Sequence, residues 1–222
     1  MPNPIKLKIN LEEMPYEISR KILVPHDINM MQLHYVIQLA MGWTFSHLFQ
    51  FCDKKWKSSI IASYGLENDY DVFDVEETPA DQVKLKSAFL EKGLGKPFWY
   101  WYDFGDDWWH KITFLKAGKK DIAEFEGAPK CVEAIGLCPP EDVGGSTGYD
   151  HFLEIINDAN HPDHKDFRIW AGIPLGIKYE TENINIKLVN AYLTGYFFSP
   201  DWKLSANKFF NTAPTPFLKN LF

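Results

Sequence analysis

Cysteine is scarce in this chain: Cys52, Cys131 and Cys138 are the three among 222 residues. An odd count without dense spacing excludes a disulfide framework and fits a reducing compartment, so a cytoplasmic protein is expected. Long hydrophobic runs are missing as well. No stretch reaches the ~18 apolar residues of a membrane span. Met1-Pro2-Asn3-Pro4 leads straight into an alternating segment rather than a secretory leader. Positive charge is in deficit, with 23 Lys and Arg against 30 Asp and Glu and a net charge of −7. A polyanion is held by a basic field, so broad nucleic-acid binding is disfavoured, while a local basic strip stays open. There is no Walker loop, no Gly-x-Ser-x-Gly elbow, no His-Glu-x-x-His pair and no internal repeat.

Aromatic residues are abundant, at 16% of the chain. They concentrate in Phe98-Trp99-Tyr100-Trp101-Tyr102 and Trp108-Trp109-His110-Lys111-Ile112, separated by Asp103-Phe104-Gly105-Asp106-Asp107. Rings fit a pleated, half-buried surface, and side chains alternate along a strand, so this reads as a β-hairpin in mid-sheet. Phe98, Tyr100 and Tyr102 fall on one face and Trp99 and Trp101 on the other, which predicts cover on both sides. Gly105 suits a left-handed turn position, with Asp106 and Asp107 as turn residues. The acids have two readings. Asp103 and Asp106 bond turn amides, or Asp103, Asp106, Asp107 and His110 converge on a metal or proton-transfer site.

Ahead of the hairpin, Ile5, Leu7, Ile9 and Leu11 alternate with polar residues, predicting a strand. Ile18 to Val24 gives a second, ended by Pro25. A helix follows: Asn29 and Gln32 make a capping box, Met30, Leu33, Ile37, Ala40 and Met41 a core stripe, and Gly42 the stop. His47 to Cys52 is a third strand. The acidic stretch Glu67 to Glu77 reads as a surface loop, Val83 to Leu85 as a short strand and Ser87 to Lys92 as a turn of helix. After the hairpin come loops over 117–130 and 131–149, the second rich in Pro and Gly. Short helices over Tyr149–Asn157, from Pro162 to Gly172, and over Asn185–Leu193 complete the pattern. The expected fold is α+β, with a mixed or antiparallel sheet, a β-β-α-β start and several short helices. Residues 1–193 form one domain. Residues 194–222 are an aromatic, Pro-rich extension packing on the domain or on an oligomer partner.

Certain residues form an ordered series: Leu33-His34, Ile37-Gln38, Gly42-Trp43, His47-Leu48 with Phe51, Tyr102-Asp103-Phe104-Gly105-Asp106 with Trp108 and His110, Cys138-Pro139-Pro140-Glu141-Asp142 with Gly144-Gly145 and Tyr149, and His161-Pro162 with His164. The series resembles the family named after open reading frame three of a root-inducing (Ri) plasmid, over about residues 5 to 193. The resemblance implies an α+β domain with a β-β-α-β start. Some members carry a transposon-resolvase label or sit beside a repressor-type DNA-binding domain, but no recombinase signature is present here.

Four readings of the polar residues compete. Cys131, Cys138, His161 and His164 make a zinc site only if the loop folds over the helix, since six residues separate the cysteines. Asp103, Asp106, His110, Glu141 and Asp142, with His34 or His47, supply donors for a divalent metal in a hydrolase or nuclease. Lys6, Lys8, Arg20, Lys21, Lys54, Lys55 and Lys57, with Trp56 for stacking, would line a sheet face that binds nucleic acid. In the fourth and preferred reading the chain is a binding or regulatory module tied to mobile elements through its family. There His34, Gln38, His47 and Trp108 form the binding set, polar residues mainly hold loops in place, and the partner is another protein or a second copy.

Overall fold

A computed structural model describes residues 2–56, 59–63, 78–91, 95–182 and 184–204. Its centre is a seven-stranded sheet in which every neighbouring pair is antiparallel. The strands are β1 (Ile5–Leu11), β2 (Ile18–Val24), β3 (Phe49–Cys52), β4 (Ile60–Ser63), β5 (Phe98–Tyr102), β6 (Trp108–Leu115) and β7 (Lys130–Ile135). Their order is β4-β3-β5-β6-β1-β2-β7, so the aromatic hairpin β5–β6 sits in mid-sheet as its composition predicts.

Register sorts the side chains onto two faces. Tyr100 lies opposite His110 and Phe51, Ile9 opposite Ile112, and Leu7 opposite Phe114 and Ile22. This inner face is buried, and α1 (Met30–Met41) lies across it. The capping box forms as its residues specify: the Asn29 side chain accepts from the Gln32 amide at 2.8 Å, and Gln32 accepts from the Asn29 amide at 3.0 Å. Gly42 ends the helix at φ 94°, where a residue without a Cβ is unstrained.

Five further helices surround this core: α2 (Lys119–Ala123), α3 (Gly145–Asn157), α4 (His164–Trp170), α5 (Ile186–Phe198) and α6 (Asp201–Leu204). α5 packs on α1 through Tyr35 and Tyr196, with rings 4.9 Å apart, and guards the β7 edge. There the Asn190 side chain accepts from the Cys131 amide at 2.7 Å and donates to its carbonyl at 2.9 Å, standing in for a further strand.

Several expectations are corrected. The loop expected over 117–130 contains α2, and the loop expected from Cys131 begins with β7. β7 escapes the alternation rule because its pairing with β2 shifts register between Lys21 and Ile22, which breaks the period of two. Around Val83–Leu85 there is a single bridge, Asn29 to Lys84, and the turn after it is a π-helical one, Lys86–Glu91. α3 starts at Gly145 rather than Tyr149, and α5 runs past the boundary drawn at 193. β4 adds a strand to the expected pattern. The loop expected over Glu67 to Glu77, and most of the C-terminal extension, lie outside the described residues.

Candidate functional site

The β5–β6 turn is built by its acids. Asp103 accepts at Oδ1 from the amides of Gly105, at 3.0 Å, and Asp106, at 3.3 Å, while its carbonyl accepts from the Asp107 amide at 2.7 Å. The left-handed positions are Asp103 at φ 54° and Asp107 at φ 62°, not Gly105. Short polar side chains tolerate that conformation because they bond their own backbone. Asp107 then accepts from the Trp109 indole at 2.8 Å.

Beyond the turn, Asp106 Oδ2 accepts from the Gly144 amide at 3.1 Å, joining the hairpin to the Pro-Gly loop at the start of α3. The contact is backbone-close: a Cβ on Gly145, at φ 69°, would stand 2.6 Å from the Asp106 carbonyl. Glu141 in the same loop accepts from the Tyr102 hydroxyl, the Thr44 hydroxyl and the Thr44 amide. Trp43 is wholly buried, stacks on Tyr102 and donates its indole N–H to the Pro139 carbonyl at 2.9 Å. One junction therefore joins the α1–β3 loop, the hairpin turn and the Pro-Gly loop.

At its mouth three donors meet. His47 Nε2 is 3.5 Å from Asp103 Oδ2 and 3.2 Å from Asp142 Oδ1, and all three atoms lie within 4.8 Å of one another. Among the described residues this is the one group of three or more His, Cys, Asp or Glu donors so arranged.

Other candidates are placed elsewhere. His34 stacks on Phe49 at 3.8 Å and bonds the Tyr100 hydroxyl at 2.7 Å; Gln38 donates to the same hydroxyl at 3.0 Å. These residues bond an inward side chain of β5, not the turn itself. His110 is fully buried, edge-on to Trp43. Desolvation pushes both imidazoles down to about 3, so they are neutral. Trp108 is core. Of the hydrolase set, Asp103 and Asp142 meet with His47, while His110, Asp106 and Glu141 fall outside that donor group. The zinc candidates do not form such a group either. The Cys131 thiol donates to the Glu133 carbonyl, and burial raises it to about 11. Cys138 lies 3.3 Å from Arg20, while His164 bonds the Ile155 carbonyl and His161 accepts from the Asp163 amide.

The model of the plasmid pRiA4b ORF-3-like protein family matches residues 3–188. The chain belongs to that family. It is similar to an uncharacterized protein y4hQ of Sinorhizobium fredii, 37% identical over 174 residues that cover 76% of this chain and 80% of the relative. It is also similar to the crystal structure of protein of unknown function MM3350 from Methanosarcina mazei Go1. That match has a TM-score of 0.64 at 28% identity and covers 83% of this chain and 96% of the other. Much of the residue series that carries the family resemblance, from His34 to Tyr149, falls on the junction and the core directly beneath it.

Among the described residues, the second sheet face is lined mainly by its own rings. Trp101 stacks on Trp109 at 4.9 Å and on Phe104 at 4.2 Å, Trp99 meets Trp109 edge-on, and Trp56 leans on Trp109 at 5.5 Å. Among the described residues the cover on this side is partial: Trp109 and Leu23 are buried, and α2 reaches the face through the ion pair Lys6–Asp121 at 2.8 Å. Most of the expected basic strip is paired with acids, while Lys54 is exposed and Lys57 lies outside the described residues. Lys8 pairs with Glu17 at 2.9 Å, Lys21 with Glu133 at 2.7 Å and Lys55 with Glu13, and Arg20 points inward. The roles of Trp43 and Thr44 were missed, since neither carries a charge that marks it.

Among the described residues no helix is long and apolar enough to cross a membrane.

Proposed function

We propose that the protein is a binding module that presents the outer face of its sheet to a protein partner. The observation that carries this reading is the exposure of large rings there, 59% for Trp56 and 39% for Phe104, beside half-buried Trp99 and Trp101. Interface cores are enriched in Trp and Phe and poor in unpaired charge, and the lysines on this face are largely paired. By contrast, the polar residues of the junction mostly serve the fold. The tie to mobile elements rests on the plasmid in the family's name.

The test compares the full chain with a Trp56→Ala, Phe104→Ala double variant that retains the wild-type circular dichroism. Sedimentation over a concentration series and co-purification from the native host are the readouts. The wild type is expected to form an oligomer or bring down a stoichiometric protein partner, and the variant to lose it. Association that persists in the variant refutes the reading, as does a wild type that is monomeric and partnerless.

A further inference from the structure

We propose that His47, Asp103 and Asp142 form a binding site for a divalent transition-metal ion of the Zn²⁺ or Mn²⁺ class. The three donors come from the α1–β3 loop, the end of β5 and the Pro-Gly loop before α3. Donors bound at about 2.0–2.2 Å to one ion stand roughly 3–3.5 Å apart. The two contacts of Nε2, at 3.5 and 3.2 Å, have that spacing.

Two further observations point to a ligand at this place. His47 Nε2 is sealed from solvent and makes no hydrogen bond, although two carboxylate oxygens lie beside it. A charge-assisted N–H···O bond would be shorter, about 2.7–2.9 Å, and aligned. Independently, Asp103 is only 7% exposed, and its two turn amides occupy Oδ1 alone. Its Oδ2 meets no hydrogen-bond donor among the described residues and is aimed at the imidazole. That oxygen is not among the solvent-sealed polar atoms, so it is open to a cation set between it and the sealed Nε2.

The donor set narrows the ion. One imidazole and two carboxylates suit zinc or manganese better than calcium, which takes six to eight oxygens. The Asp142 side chain is 70% exposed, so the site opens on that side and leaves coordination positions to water. Asp106, Asp107 and Glu141 nearby add a negative field that favours a cation.

The experiment uses the full chain, stripped with chelator and titrated separately with Zn²⁺ and Mn²⁺ by calorimetry. Manganese is also followed by electron paramagnetic resonance. One ion per chain is expected. The Asp142→Asn variant changes an exposed residue at φ 59°, a conformation asparagine also adopts, and should weaken binding at least about tenfold without altering circular dichroism. Asp103→Asn should do the same, and His161→Gln, remote in role, should leave binding intact. No uptake at millimolar metal overturns the proposal and leaves an ion-paired histidine. Stoichiometric uptake that Asp142→Asn does not weaken, or that His161→Gln abolishes, overturns it by placing the ion elsewhere.

Discussion

His34 and His110 are imidazoles kept neutral by the core around them, and that neutrality makes stability depend on pH. Each is pushed down to about 3 by burial, whereas an unfolded histidine takes up a proton near pH 6.5. Below about pH 6.5 the unfolded chain therefore binds protons that the folded chain refuses. The contribution is complete above that pH and is lost progressively as pH falls toward 3, with a slope of about 1.4 kcal/mol per pH unit for each histidine. Urea midpoints at pH 7, 6, 5 and 4.5 should show this slope on top of that from the carboxylates. A His34→Gln variant loses its stack on Phe49 and is weaker at pH 7, but its stability should fall less steeply on acidification. An unchanged slope would mean that His34 protonates without unfolding the core. Arg20 presents the opposite case, a permanent cation that is 1% exposed and, among the described residues, has no carboxylate partner. It is satisfied by the carbonyls of Ala40, Ser19, Ile135 and Gly136, and so ties the end of α1 to the end of β7. Arg20→Ala strips donors from several buried carbonyls together and should cost about 3–5 kcal/mol, read as a lowered urea midpoint.

Elements whose pattern is local could be read from the residues; those set by tertiary contact could not. The alternation in β1, the capping box of α1 and the paired aromatic runs each place one period or one cap on the page, and all three form. β7 is invisible because its bulge against β2 breaks the alternation, and β4 because four residues carry too little period. The junction was legible in parts. Asp103, Asp142 and His47 all stood out by type, but their meeting depends on how three loops fold. His110 shares a face with Trp108 in sequence, and that face proves to be the core, which no count of residue types reveals. The approach of the hairpin turn to the Pro-Gly loop gives the element-scale prediction. Gly145→Ala drives a Cβ to within 2.6 Å of a backbone oxygen at a positive φ. It should cost on the order of 2–4 kcal/mol, read as a lower melting temperature. Asn29→Ala at the α1 cap should cost only about 1 kcal/mol. Equal losses from the two changes would mean that the junction relaxes freely.

Charge is a property of the whole molecule, and here its arrangement matters more than its sum. The chain carries −7 overall, yet the outer sheet face holds Lys6, Lys8, Lys21 and Lys55, a set that would make a strip for a polyanion if it were free. Each instead faces a carboxylate: Asp121, Glu17, Glu133 and Glu13 in turn. Pairs at the surface contribute little to stability, so their main effect is on the field that an approaching ligand meets. With most of that field cancelled, and Lys111 left over the Trp99 ring, single-stranded DNA, RNA and duplex DNA should all fail to bind at low salt. Fluorescence anisotropy of a labelled oligonucleotide checks this. Binding tighter than about 10 μM that weakens steeply as salt is added would contradict it. The same reasoning makes a constructive prediction. A Glu17→Gln, Asp121→Asn, Glu133→Gln triple variant removes three negative charges and changes the net charge from −7 to −4. It uncovers Lys6, Lys8 and Lys21 beside the tryptophans while leaving the fold intact. Salt-sensitive binding to single strands should then appear where the wild type has none. If it does not, the carboxylates are not what keeps nucleic acid from this face.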